Sequence, residues 1–198
     1  MANGLEPIMR EENRIFTFVT RQGCEAGVYR GPGIAKHRLT DMDEFIRQRY
    51  PTARVRRPSD PDYNCHGLTF ISRHGWVAAE DVLEFVIAAP DRVPPDRSRV
   101  CSALIAELLI TSGFTQRVLL KDIRRDQLRP SDPVKSGDVA IYKRGELITH
   151  SGIVWERNEE TNTVLLLSKW GLYGEYFHDF RNVPDAFGTM VAFWSDRS

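Results

Sequence analysis

A chain of 198 residues, 41% hydrophobic and 27% charged, suits one compact globular domain with a substantial core. Its 27 Lys plus Arg balance 27 Asp plus Glu, so no strong net field holds a polyanion or an anionic membrane, and nucleic acid is not an expected partner. The apolar runs, Val164 to Leu167 among them, are too short to cross a bilayer, and Met1 to Pro7 lacks the basic-then-apolar order of a secretory signal peptide.

The stretch 1–38 mixes a strand-like piece, Ile15 to Thr20, with glycines at 23, 27, 31 and 33 and reads as an N-terminal extension to a domain over 39–198. Thr40 then caps an expected helix, with Asp41, Asp43 and Glu44 in its first turn and Pro51 ending it. Arg54 to Pro61 reads as a basic loop, and its arginines as a solvated face. From Asn64 a helix is expected, with Asn64 as N-cap and Cys65 in the first turn. A second is expected from Asp81 to Ile87. A third carries Val100, Leu104, Ile105, Leu108 and Leu109 at helical spacing, with Gly113 ending it.

From Gly137 the pattern turns to short β-rich runs separated by turn residues: Val139 to Tyr142, Leu147 to Trp155, Val164 to Leu167, Tyr173 to Phe177 and Met190 to Trp194. Such a series reads as an antiparallel meander. Helices first and a sheet afterwards define an α+β domain with segregated layers.

Three cysteines, Cys24, Cys65 and Cys101, stand far apart with no CxxC pair, which implies neither a disulfide framework nor a structural zinc site. A cysteine becomes a nucleophile when its thiolate is stabilised, and a helix start with a nearby imidazole does this. Cys65, in Tyr63-Asn64-Cys65-His66-Gly67, has that local setting. His150, heading Ser151-Gly152-Ile153-Val154, is the candidate base, held on a rigid strand. Cys101 is the rival nucleophile, but it lies in an apolar helical stripe. Cys24 has no motif around it.

Asn64-Cys65-His66-Gly67-Leu68 resembles the Asp-Cys-Ser-Gly-Leu nucleophile motif of NlpC-type cell-wall peptidases, which have the papain-like fold. Ser136-Gly137-Asp138-Val139 resembles that family's Pro-Gly-Asp-Leu strand opening, and His150-Ser151-Gly152-Ile153-Val154 its His-Val-Gly-Ile strand. The three motifs come in the family order and span roughly Asn64 to Trp170. The resemblance implies a papain-like domain, with N-terminal helices packed on an antiparallel sheet, acting as a cysteine peptidase or amidase. It also implies a third polar residue on the following strand, for which Ser168 is the match, with Lys169 adjacent.

Asn64, His66, Lys169 and Trp170 are expected near the substrate, with a pocket-lining or capping role for His66. His178 is expected at the surface. The implied substrate is a peptide or a peptidoglycan stem peptide, with the Cys65 N–H helping to meet the oxyanion; the chemistry needs no metal and no cofactor. An antibacterial effector, paired with an inhibitor or immunity protein, would suit such a chain, located in the cytoplasm or exported by a dedicated route. The alternatives are an acyltransferase, a transglutaminase-like enzyme or a deamidase using the same thioester, or a binding module that keeps the fold without turnover.

Overall fold

The computed structural model describes residues 14–31, 33–77, 95–125 and 128–197. The helix expected over Asp81 to Ile87 lies outside the described residues. Those described form a mixed α and β molecule with three helices, α1 (Lys36–Arg49), α2 (Cys65–Ile71) and α3 (Pro95–Thr111), and two sheets whose strands all pair antiparallel.

The larger sheet has seven strands: β3 (Arg54–Arg57), β5 (Thr115–Leu120), β6 (Val139–Arg144), β7 (Leu147–Asn158), β8 (Thr163–Lys169), β9 (Glu175–Asp179) and β10 (Met190–Ser195). Their spatial order is β3-β9-β8-β7-β6-β10-β5. The expected meander is therefore present as β6-β7-β8-β9. Three strands join it in places that turn chemistry does not show: β10 returns beside β6, β5 pairs with the other side of β10, and β3 caps the far edge. Arg54 to Arg57, expected as loop, pairs with β9 through Arg54–Phe177 and Val55–Tyr176.

Side-chain alternation with period two divides this sheet between two cores. Val139 and Ile141 pack with Ile105, Leu108 and Leu109 of α3, while Ile153 and Leu167 pack with Leu68 of α2 and with Tyr63. Ala140, Tyr142, Val154, Val164, Leu166, Phe180 and Phe193 fill the opposite face. Both faces are covered, which is why β6 and the middle of β8 read as unbroken apolar runs.

The smaller sheet, β1 (Arg14–Val19), β2 (Glu25–Tyr29) and β4 (Trp76–Val77), has the order β1-β2-β4. The stretch expected as an extension is, over its described residues, built into the molecule. Val28 and Tyr29 pair with Val77 and Trp76, and Cys24, Ala26 and Val28 share a core with α3 and β6. Helix α1 starts at Lys36 with Ala35 in the N-cap position, not at Thr40. The Thr40 hydroxyl instead bonds back to the Lys36 carbonyl, the bond such a side chain makes inside a helix. No helix among the described residues is long and apolar enough to cross a membrane.

Candidate active site

Asn64 caps α2 as its sequence implies and does more besides. Its Oδ1 accepts from the Gly67 N–H at 2.7 Å and the Val77 N–H at 3.2 Å, and its Nδ2 donates to the Val77 carbonyl at 2.9 Å. The helix start is thereby riveted to β4. An aspartate has no donor for that carbonyl, so the departure from the Asp-Cys motif has a local cause. Gly67 allows the same close approach from the next turn. A Cβ there would stand 1.9 Å from the Gly75 carbonyl oxygen.

The pairing of β7 with β8 stops at Gly152–Ser168, leaving the first residues of β7 without a β8 neighbour. The α2 start fills this edge. Among the groups acting on the Cys65 thiol, burial raises its pKa. The charge and hydrogen bond of His150 oppose this, joined by the backbone N–H groups of Ser151 and His66, and the net direction is downward. His150, opposite Tyr142 in the β6–β7 register, is itself buried. Burial lowers its pKa against the raising influence of Cys65, and His178 and His66 lower it further. A buried imidazole bonded to a helix-start thiol whose pKa is drawn down is the arrangement a thiol-activating base needs.

His66 occupies the other side of this junction. Thr69 Oγ1 donates to the Cys65 carbonyl at 2.9 Å, so it accepts from Ser151 Oγ, also at 2.9 Å. Ser151 Oγ, having donated its only proton, accepts from His66 Nδ1 at 2.9 Å. Burial pushes the His66 pKa down to about 4, which keeps the ring neutral with its proton on Nδ1. His66 therefore straps α2 to β7. Its nearest counterpart among the expectations is the capping role.

Ser168 does not form the expected contact with His150. Its hydroxyl accepts from Trp170 Nε1 at 2.9 Å and lies 2.6 Å from His178 Nε2. His178 Nδ1 donates to the Asp179 carbonyl at 2.9 Å, and burial brings its pKa down to about 4. The ring is thus neutral, its Nε2 is the acceptor, and Ser168 donates to it. His178, expected at the surface, is buried on β9. His150 Nε2 has no hydrogen-bond partner among the described residues.

Phe187 lies against His150 instead, with ring centroids 3.8 Å apart and planes within 8°. It belongs to a 3-10 turn, Asp185–Phe187, and only the folded chain shows its relation to His150. A phenylalanine in a turn near the C-terminus carries no sequence signal for this.

Trp170 and Lys169 sit under the same site. Trp170 is buried and stacks edge-on with His178 and Tyr50. Lys169 Nζ donates to the Gly171 carbonyl at 2.6 Å and the Tyr173 carbonyl at 2.5 Å, and lies 5.0 Å from the Tyr63 ring centre. Burial pulls its pKa down to about 8, opposed by Asp60, Cys65, Glu175 and Asp62. Beneath it the Glu175 carboxylate is fully buried and takes Arg73, Arg56 at 2.6 Å and the Tyr63 hydroxyl at 2.6 Å. Asn64, His66, Lys169 and Trp170, expected near the substrate, are all buried and all engaged internally.

Cys101 lies half-buried on α3, and no disulfide links the three cysteines. Among the described residues no cluster of His, Cys, Asp and Glu is arranged to hold a metal ion. Comparison with family models, with curated proteins and with solved structures yields no match.

Proposed function

We propose that the chain is a cysteine hydrolase of papain-like architecture that cleaves an amide or peptide bond through a Cys65 thioester, with His150 as general base and acid. One observation carries this reading: a buried thiol at the start of α2 meets the imidazole of His150 and the backbone N–H groups of Ser151 and His66, contacts that draw its pKa down against its own burial. An inert core cysteine has its pKa raised by burial, as at Cys24, where burial and then Glu107 act in that direction.

In the proposed reaction His150 takes the Cys65 proton and the sulfur attacks the carbonyl carbon. The tetrahedral intermediate collapses as the imidazolium protonates the leaving amine, giving a thioester. Water, deprotonated by His150, then attacks the thioester, releasing a carboxylic acid and restoring the thiol. Peptidoglycan stem peptides are the substrate class that the motif resemblance favours. The near-complete burial of Cys65 favours a second reading, in which an amine or alcohol intercepts the thioester, since a dry site slows the competing water.

The test is the labelling rate of each cysteine with dilute iodoacetamide across pH, located by peptide mapping, followed by activity on muropeptides and model amides. Cys65 should label faster than Cys24 below the free-thiol range of about 8.5, and Cys65→Ala should abolish turnover. Turnover that survives in Cys65→Ala eliminates the mechanism. Added hydroxylamine separates the two readings, because an acyltransferase passes its acyl group to it and a strict hydrolase yields mainly acid.

A further inference from the structure

A catalytic imidazole must be held in one orientation, and a polar partner on its second nitrogen usually does this. Here Ser168 is committed to His178 and Trp170, and His150 Nε2 has no partner among the described residues. What touches the ring is aromatic. Phe187 stacks on it at 3.8 Å, Tyr142 lies at 5.6 Å from its centre, and Trp170 meets Phe187 edge-on at 6.3 Å.

Phe187 is itself held with unusual thoroughness for a residue in a three-residue turn. The Thr149 hydroxyl, from the residue just before His150, donates to the Phe187 carbonyl at 2.6 Å. Arg144 donates to the Ala186 carbonyl at 2.6 Å. Arg124 reaches the Asp185 carboxylate at 2.8 Å and the Val183 carbonyl at 3.1 Å. Gly188 has φ +89°, and a Cβ on it would stand 2.2 Å from the Lys143 carbonyl oxygen. Thr149, Arg144 and Lys143 thus fasten the turn to the β6–β7 hairpin that carries His150, and Arg124 ties it to the segment after β5.

We propose that Phe187 is the positioning residue of His150: the 183–188 turn presses an aromatic face onto the imidazole and does by stacking what a polar third residue does by hydrogen bonding. The inference rests on the reading of Cys65 and His150 as a catalytic pair. Its chemical consequence is specific. A ring face within about 4 Å of an imidazole holds both its protonation states, and favours the cation when the site is dry. Phe187 therefore restricts rotation of the base and supports the imidazolium formed when Cys65 gives up its proton. The titratable groups bearing on His150 are Cys65 and His66 from α2, His178 from β9 and Tyr142 from β6, and none of these is altered by changing Phe187.

The experiment compares Phe187→Leu, which keeps an apolar side chain without a ring, with Phe187→Tyr, which keeps the ring. Two readouts are taken on the full chain: the pH profile of Cys65 labelling by iodoacetamide, and titration of the His150 ring followed by 15N-edited NMR. Phe187→Leu should slow Cys65 labelling near neutral pH about tenfold and move the His150 titration to lower pH, while Phe187→Tyr should stay within about threefold of the parent. Should Phe187→Leu fail to fold by thermal melting, Thr149→Val, which removes the hydroxyl that anchors the Phe187 carbonyl, decides the matter with a loss of about threefold in the same direction. Parental rates and titration in the folded variants overturn the proposal, as does a Phe187→Tyr variant as impaired as Phe187→Leu, which would reduce Phe187 to packing. If Cys65 labels no faster than Cys24 in the parent, the catalytic reading itself fails, and the NMR titration still reports independently on Phe187.

Discussion

Replacing Glu175 by glutamine tests whether the charged network beneath the site holds it together. The carboxylate is fully buried and is bound by Arg73, Arg56 and Tyr63. Burial raises its pKa, but the hydrogen bonds of Arg73, Tyr63 and Arg56 and the charge of Arg73 prevail and bring it from 4.5 to about 2. That difference, 4.5 − 2, is about 2.5 pH units, which at 1.36 kcal/mol each corresponds to ~3 kcal/mol of folding free energy.

Because the folded-state pKa is depressed, this contribution is whole above pH 4.5 and is lost as pH falls towards 2. Glu175→Gln leaves the two guanidinium groups facing an amide, so it should lower the melting temperature at pH 7 by roughly 6–12 °C for a chain of this size. The measurement is calorimetric melting of both proteins from pH 7 down to pH 2.5. The deficit of the variant should shrink steadily below pH 4.5. A deficit under about 2 °C at pH 7, or one equally large at the lowest pH at which both still fold, would refute the reasoning.

Lys169→Met probes a buried cation at the same site. The folded-state pKa of Lys169 lies at about 8 rather than 10.5, so between those values the unfolded chain binds more protons and stability rises with pH. Urea midpoints should show the parent gaining ~3 kcal/mol on the methionine variant from pH 8 to 10.5; a constant difference would contradict the burial argument. Gly67→Ala should cost about 3 kcal/mol or more, because the added methyl meets the Gly75 backbone oxygen at 1.9 Å. It should also slow Cys65 labelling by loosening the Asn64 cap. Unchanged melting and labelling would mean that α2 shifts freely away from β4.

The features legible in the sequence were those with a local cause. Asn64 is an N-cap because a short polar side chain before a helix finds an orphan N–H, here that of Gly67. The strands β6 to β10 follow from β-rich runs and intervening turns, and Gly113 ends α3 with φ +89°. Expectations that relied on distant partners fared differently. Arg54 to Arg57 looked like a loop because its pattern is basic, yet Glu175, more than a hundred residues on, binds Arg56 beside the strand pairing with β9. His178 looked exposed beside Asp179, yet Ser168 and Trp170 enclose it.

Composition, helix caps and strand alternation thus pointed to the α+β class, and the helix-start setting of Cys65 together with the motif resemblance singled out Cys65 and His150, since these signals are carried by residues near one another along the chain. Their meeting at the β7 edge, the diversion of Ser168 to His178 and the stacking of Phe187 on His150 were decided by tertiary structure alone. A strand register, an edge left uncovered by a short neighbour and a turn fastened to another hairpin all depend on contacts between segments whose separation in sequence carries no periodic trace. The thiol shows the division most clearly: its place at the start of a helix was written locally, and the direction of its pKa was set by an imidazole 85 residues away.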